Sequence, residues 1–464
     1  MRKDEEFSEW YNGLVEGAEL SDKRYPIKGM NVWRPYGWSI MKLIDAAMRE
    51  EFDSTGHGEV NFPVLIPETE FQKETEHVKG FEGDVFWVTR GGFNELDVKL
   101  LLRPTSETAM YPMFKLWIRS HADLPLKVYQ IVPVFRYETK MTRMFMRVRE
   151  IHFFEAHTAH ATFEDAEQQI REDLQINERL MRLLALPYIV SKRPDWDKFP
   201  GAHYSLGSDT LLPSGRSLQL ATFHQYRDNF AKVYDVTYEA EGGEHKFVHQ
   251  TTDGMSERIL GALLAIHGDE KGLVLPPAAA PIQAVIVPVL EKGRQEQMLL
   301  EAQRLFLELR ERMRVNLDDR DMRPGEKYYY WEARGVPLRV ELGPREIEKS
   351  MATVVRRDTG DKRELPRDAL GDRLRSVLEL MQIAMWDRAE KMIRQNTFTI
   401  TSLNEAKDGF NRMGWCGSEA CGKTIADQTG MSVLGTPFYP EEFKGVCIVC
   451  GKPTKQVVYV AKAY

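Results

Sequence analysis

Two runs rich in Val, Ile and aromatic residues, LKVYQIVPVFRYE (126–138) and MRVREIHFFEAHTAH (146–160), stand either side of the short loop TKMTRM. Such composition predicts strands, and so short a connection makes them a hairpin. Strand side chains alternate between faces, so Arg147, Arg149, Ile151, Phe153, Glu155 and His157 are expected on one face and Met146, Val148, Phe154 and Ala156 on the other. Arg136 and Glu138 likewise share a face of the first strand. One side of the hairpin is an ordinary core surface, whereas its opposite mixes cations, carboxylates and rings. Two readings fit that side: a solvated face laced with ion pairs, each contributing only about 0 to 1 kcal/mol, or a site for a polyanion.

The 464 residues allow two or three domains with a large buried core. Hydrophobic residues at 42% and charged residues at 29% fit a globular chain without low-complexity tracts or repeats. No apolar run follows the charges of MRKDEEFSEW, and no stretch approaches the ~18 apolar residues of a membrane span. A cytoplasmic location without membrane attachment is the expectation. The net charge of −7 excludes a uniformly basic surface that grips nucleic acid non-specifically, though not local basic patches.

All the cysteines lie near the end of the chain, as Cys416 and Cys421 in WCGSEAC and Cys447 and Cys450 in GVCIVCGK. Two close pairs in Gly-containing turns, separated by a spacer long enough to fold back, have the spacing of a four-thiolate zinc site. Disulfides do not suit a cytosolic chain, and four thiolates leave no open coordination position, so the expected Zn2+ is structural.

The Pro/Ala stretch LVLPPAAAPIQ (273–283) reads as a linker. It divides a first domain, 1–277, from an α/β unit, 282–385, built from QAVIVPVL, the helix EQMLLEAQRLFLELRERM, strand-like RVNLDD, PLRVELGP, a short helix, MATVVRRD and a final helix. A second helix, LRSVLELMQIAMWDRAEKMIRQN, leads into a cysteine-bearing unit, 390–464.

TTDGMSERILGALLAIHGDEKG reads as a buried helix, because Ile259, Leu260, Leu263, Leu264 and Ile266 wrap most of its circumference. Arg258 falls in its first turn, where the helix dipole disfavours a cation, so an anion is expected nearby: Asp253, Glu257 or a phosphate. In RPTSETAMYPMF, Thr105 sits where an N-cap belongs and Glu107 in the first turn. Capping accounts for both, yet the two acceptors also suit a small ammonium ion.

Taken together, EVNFPVLIPE with Pro63, FRYE…TRMF…RVREIHFFEAH and GMSERILGAL resemble motifs 1, 2 and 3 of class II aminoacyl-tRNA synthetases, and RPTSET, LATFH and HGDEKGLVLPP resemble segments of the archaeal/eukaryote-like prolyl-tRNA synthetases. The resemblance covers essentially the whole chain. It implies an α+β architecture: an antiparallel-sheet catalytic domain, an α/β anticodon-binding domain and a small C-terminal zinc-binding α/β domain, without the editing insert of bacterial forms. It further implies activation of L-proline by ATP with Mg2+ on the phosphates, transfer to tRNA(Pro), and a homodimer built through motif 1.

By the same resemblance Arg136 binds the α-phosphate, Phe145 and Arg258 cover the two faces of adenine, and Glu138, Arg147, Val148, Gln219 and Thr222 complete the nucleotide site. Thr105 and Glu107 would accept the two N–H donors of the proline ammonium, with Phe153 and His157 as walls and Glu155, His224 and Ser256 at other pocket positions. Phe153 stands where many relatives carry tryptophan, as does Asp253. Glu332 and Arg339 match guanine-reading positions for an anticodon ending in two guanines, although they could also simply pair with each other. Tyr464 is implied to pack toward the catalytic domain. A sibling synthetase of another specificity and a non-catalytic tRNA-binding relative are the alternatives. A threonine enzyme needs pocket zinc, for which no cysteine is placed, and intact Arg136, Arg258, Thr105 and Glu107 speak against lost catalysis.

Overall fold

The computed structural model describes residues 6–73, 83–140 and 142–464, so Met141 of the expected hairpin loop lies outside the described residues. Its centre is an eleven-stranded sheet. The strands Ile189–Lys192, Tyr204–Leu211, Ser217–Arg227, His249–Ser256, Glu150–His160 and Leu126–Phe135 lie side by side in that order, each antiparallel to its neighbour. The helices Pro35–Ser54, Phe163–Leu183 and Arg258–His267 pack on this sheet through a core that includes Ile44, Phe52, Ile170, Leu174, Phe154, Phe223, Leu260 and Leu264.

The second strand of the hairpin begins at Glu150 rather than at Met146, since residues 142–149 form a tight irregular loop in which Phe145 takes a φ of +60°. TTDGMS is not the start of a helix but the end of the strand His249–Ser256, and the helix begins at Arg258. Strand and buried helix both read as apolar runs with few breaks, so period alone does not mark the junction. Thr105 is not the N-cap of Glu107–Trp117: Ser106 occupies that position, without a side-chain cap bond, because its hydroxyl is committed to Glu155.

The linker is packed, not loose. Leu273 and Leu275 are buried, and their amides donate to the carbonyls of Ala333 and Gly335 in the following unit. That unit is a five-stranded sheet ordered Val315–Leu317, Ala284–Pro288, Leu338–Leu342, Met351–Arg356, Lys362–Pro366. Its helix Pro324–Ala333, over the tyrosine-rich PGEKYYYWEA, and its edge strand Lys362–Pro366 are additions to the sequence reading.

The expected final helix and second helix are one, Leu370–Gln395. Leu370, Leu374 and Leu378 belong to the core of the α/β unit, Met381 and Met385 pack on Val274 and Ala185, and Ala389 joins the core of the central sheet. A single rod therefore crosses the expected boundary between 385 and 390. The C-terminal unit does not stand apart either. Its strand Ser432–Pro437 pairs with Ile189–Lys192, which continues the central sheet into the cysteine-bearing region.

Candidate active site

A cavity of about 310 Å³ opens on the sheet face opposite the helix Phe163–Leu183. The hairpin supplies Ile151 and Phe153, and Arg136 and Glu138 follow where the first strand ends. Phe145, Arg147 and Val148 all line it from the loop. Strict alternation would have separated Arg147 from Val148, but alternation applies only to a strand, and this segment is not one.

Gln219, Thr222 and His224 come from one strand. Gln219 and Thr222 are an odd number of residues apart, so a regular strand would face them oppositely. A register shift opposite Ser208 and Asp209 leaves Leu220 as an extra residue and turns both toward the cavity. Ser256 and Arg258 enter from the strand-to-helix junction, and Thr105 and Glu107 from the start of Glu107–Trp117.

Glu107 is buried, with both carboxylate oxygens held: the Thr105 hydroxyl donates to Oε2 at 2.6 Å and the Tyr226 hydroxyl to Oε1 at 2.8 Å. Each oxygen has a lone pair left, as has the Thr105 hydroxyl, so the pair can still accept from an ammonium.

Glu155 and His157 do not line the cavity. They are fully buried behind it, with His157 Nε2 3.2 Å from Glu155 Oε2. Glu155 also accepts from the Ser106 amide at 3.1 Å, from Gln130 Nε2 at 2.9 Å and from the Ser106 hydroxyl. Burial alone would raise this carboxyl, but His157 and the bonds from Ser106 and Gln130 outweigh it and bring it down to about 2. The expected His157 wall is therefore a support beneath the site.

Phe199 does line the cavity, stacked on His224 at 4.5 Å between centroids. Burial first, then His157, Arg193 and Arg136, pull His224 down to about 3, so it is a neutral imidazole whose Nδ1 lies 2.8 Å from the Ser205 hydroxyl. Arg193, Asp197, Phe199, Ser205 and Thr252 also line the cavity, and sequence reasoning passed over all of them. The aromatic and charged KRPDWDKFPGA was the available signal.

Arg258 donates through Nε to the Met146 carbonyl at 2.8 Å, not to either carboxylate weighed from sequence. Burial, then Arg136 and Arg147, pull it down to about 10. Glu257 accepts the His152 amide and is pushed by burial up to about 8, so it offers little negative charge. Asp253 faces away from the cavity, beside Asp173. Burial raises it well above the carboxylate range, Asp173 adds to the shift, and the Gly254 amide offsets only part. These arginines are arranged for an anion that enters the cavity.

Elsewhere, the sulfurs of Cys416, Cys421, Cys447 and Cys450 lie within 4.8 Å of one another, and Cys416 and Cys450 are 3.8 Å apart. A tetrahedron with Zn–S bonds of about 2.3 Å has edges of about 3.8 Å. Arg339 pairs with Glu332 at 2.9 Å and with Glu341 at 3.1 Å, and its guanidinium lies 3.9 Å from the Tyr328 ring centroid. Arg147 Nη2 donates to the Tyr464 carbonyl at 2.7 Å, and Arg143 lies over the Tyr464 ring. Around Pro63, Leu65, Met113 and Trp117 form an exposed apolar hollow. No helix among the described residues is long and apolar enough to cross a membrane.

Three family models match the chain: the class II tRNA synthetase core domain (G, H, P, S and T) over 86–267, the anticodon-binding domain over 283–377 and the prolyl-tRNA synthetase C-terminal domain over 399–464. Proline–tRNA ligase of Thermococcus kodakarensis is 54% identical, covering 99% of this chain and 98% of its own. That of Pyrococcus abyssi is also 54% identical, covering 100% of this chain and 99% of its own. Among solved structures, Giardia lamblia prolyl-tRNA synthetase in complex with prolyl-adenylate superposes with a TM-score of 0.95 at 36% identity, over 99% of each chain.

Proposed function

The chain belongs to the proline–tRNA ligase family of class II aminoacyl-tRNA synthetases, and from that premise we propose how its residues divide the work of joining proline to tRNA with ATP. The observation that carries the division is that one cavity is lined by two unlike sets of residues, Thr105, Glu107, Phe153 and His224 in one and Arg136, Phe145, Arg147 and Arg258 in the other, which meet where the Arg136 guanidinium lies 6.0 Å from the Phe153 ring centroid; we assign each set to one end.

The first end takes proline. Its secondary ammonium has two N–H donors, which Thr105 and Glu107 accept, while Phe153 and Phe199 enclose the ring. Glu155, itself held by His157, holds Thr105 and Ser106 from behind, and Ser256 closes the side toward the nucleotide. A buried acid held down to about 2 stays charged and keeps its donors in place over any physiological pH.

The second end takes ATP. Arg136 binds the α-phosphate and stabilises the charge that develops there as proline carboxylate attacks. Phe145 and Arg258 sandwich adenine, Arg258 by a cation–π contact, and Gln219, Thr222, Arg147, Val148 and Glu138 fix the rest. Glu138, a carboxylate on the cavity wall, would hold Mg2+, which would neutralise the leaving pyrophosphate. No side chain forms a covalent bond: catalysis is alignment plus charge stabilisation, first for the adenylate and then for attack by the terminal ribose of tRNA(Pro).

The four cysteines hold a structural Zn2+, as the 3.8 Å sulfur separation fits. Glu332 and Arg339 read guanines of the anticodon. The apolar hollow around Pro63 is covered by a second copy in a homodimer. The catalytic, anticodon-binding and zinc-binding units run 1–277, 282–385 and 390–464, and the enzyme works in the cytoplasm. Amino-acid-dependent exchange of pyrophosphate into ATP, run with all twenty amino acids, tests the central reading. Proline alone should support rapid exchange, and a stronger response to any other amino acid would overturn it.

A further inference from the structure

The lining residues Arg193, Asp197 and Phe199 come from one irregular segment, 193–199, that follows the strand Ile189–Lys192. Within it Trp196 points away from the cavity into the cysteine-bearing unit. Its ring packs against the core formed by Trp415, Cys421, Ile425 and Cys447, edge-on to Trp415 at 6.0 Å between centroids and 84° between planes. It lies so close over Gly422 that a Cβ there would fall 2.4 Å from the Trp196 ring. Trp415 and Gly422 are the direct chain neighbours of Cys416 and Cys421.

A second tie runs alongside. Arg193 donates through Nη1 to the Leu434 carbonyl at 2.6 Å while its Nη2 reaches Asp209 at 2.9 Å. Gly435 lets the C-terminal strand approach, since a Cβ there would fall 2.0 Å from the Lys192 carbonyl oxygen. The segment that lines the amino-acid end of the cavity is thus held from outside, by the unit that carries the four cysteines.

We propose that Trp196 is a positioning residue for the amino-acid pocket: seated over Gly422 and against Trp415, it fixes Phe199 and Asp197 at the cavity and makes proline binding depend on the folded four-cysteine unit. The inference rests on the assignment of this cavity end to proline. Phe199 is stacked on His224, and Tyr226, beside them, orients Glu107, so a shift of the segment reaches the proline contacts before the nucleotide contacts. Without the Trp196 anchor the segment would sample several positions, and proline binding would have to order it each time.

The test uses the full chain in proline-dependent pyrophosphate exchange, with Michaelis constants for proline and ATP and the unfolding midpoint measured on each variant. Trp196→Ala should raise the KM for proline about 10- to 100-fold, as misplacement remote from the chemistry does, and change the KM for ATP by less than about twofold. Trp196→Phe should recover most of the loss. Gly422→Ala should act in the same direction from the opposite side, by displacing the ring, and it keeps the test open if Trp196→Ala fails to fold. Wild-type proline KM in folded Trp196→Ala or Gly422→Ala would overturn the inference, as would equal rises for both substrates. Absence of proline-dependent exchange in the wild type would overturn the assignment of the cavity itself, and the inference with it.

Discussion

The Tyr226 hydroxyl donates to Glu107 Oε1 at 2.8 Å, fixing from one side a carboxylate that Thr105 fixes from the other. Removing only that hydroxyl tests whether Glu107 must be oriented to receive proline. Tyr226→Phe should lower kcat/KM for proline by the equivalent of about 0.5 to 1.5 kcal/mol, the net worth of one hydrogen bond, with the KM for ATP unchanged. An equal effect on both substrates would argue for general loosening of the cavity.

Arg136 lies past the end of its strand on the cavity wall, where its Nε donates to the Pro104 carbonyl at 3.2 Å. Arg136→Gln should abolish adenylate formation while the unfolding midpoint stays near that of the wild type. Exchange at the wild-type rate would remove Arg136 from the α-phosphate.

Asp253 and Asp173 make a buried acid pair behind the central sheet. Burial pushes Asp173 up to about 7 and Asp253 well above the carboxylate range. A carboxyl raised on folding contributes stability that is fully present below its ordinary value near 4 and is lost as pH rises through the folded value. The wild type should therefore lose stability between about pH 4 and pH 7 or above. Asp253→Asn should stabilise the protein near pH 8, by roughly 1 to 3 kcal/mol, and have little effect near pH 4. Denaturant unfolding at the two pH values measures this, and equal effects at both would contradict it.

If the four sulfurs hold one Zn2+, metal analysis should find one ion per chain, and Cys447→Ser should lose it and loosen the C-terminal unit to proteolysis. A metal-free wild type, or one with an iron–sulfur absorption band, would refute the site.

Arg339 is already committed to Glu332 and Glu341, so reading guanine means exchanging those partners for base edges. Arg339→Ala should cost about 1 to 3 kcal/mol in tRNA charging and leave proline-dependent pyrophosphate exchange near normal. If the variant discriminates anticodon-altered from native tRNA as well as the wild type does, the pair is structural only.

The local patterns in this chain were readable because they are short-range. Alternation on the hairpin placed Phe153, Glu155 and His157 on one face, the cysteine spacing marked a cluster that closes to 4.8 Å, and the apolar wrap of Ile259–Ile266 marked a buried helix. Arg136, Phe145, Thr222 and Arg258, far apart in the chain, all line one cavity.

Depth along a face was a different matter. Phe153 and His157 share a face, yet one lines the cavity and the other is buried behind it, because side-chain period says which way a residue points and not how much lies in front of it. Gln219 and Thr222 share the cavity only through a bulge, a register event between strands that neither strand shows alone.

By itself the sequence determined the secondary elements with clear periodicity, the family motifs and the cysteine cluster, since each depends on residues close together in the chain. Only the tertiary structure decided that Leu370–Gln395 is one rod through three units, that the central sheet continues into the cysteine-bearing region, and that Trp196 ties that region to the cavity wall. These are contacts between segments far apart in sequence, Trp196 with Gly422 and Lys192 with Thr436 among them, and which distant surfaces meet is set by three-dimensional packing that no local pattern encodes.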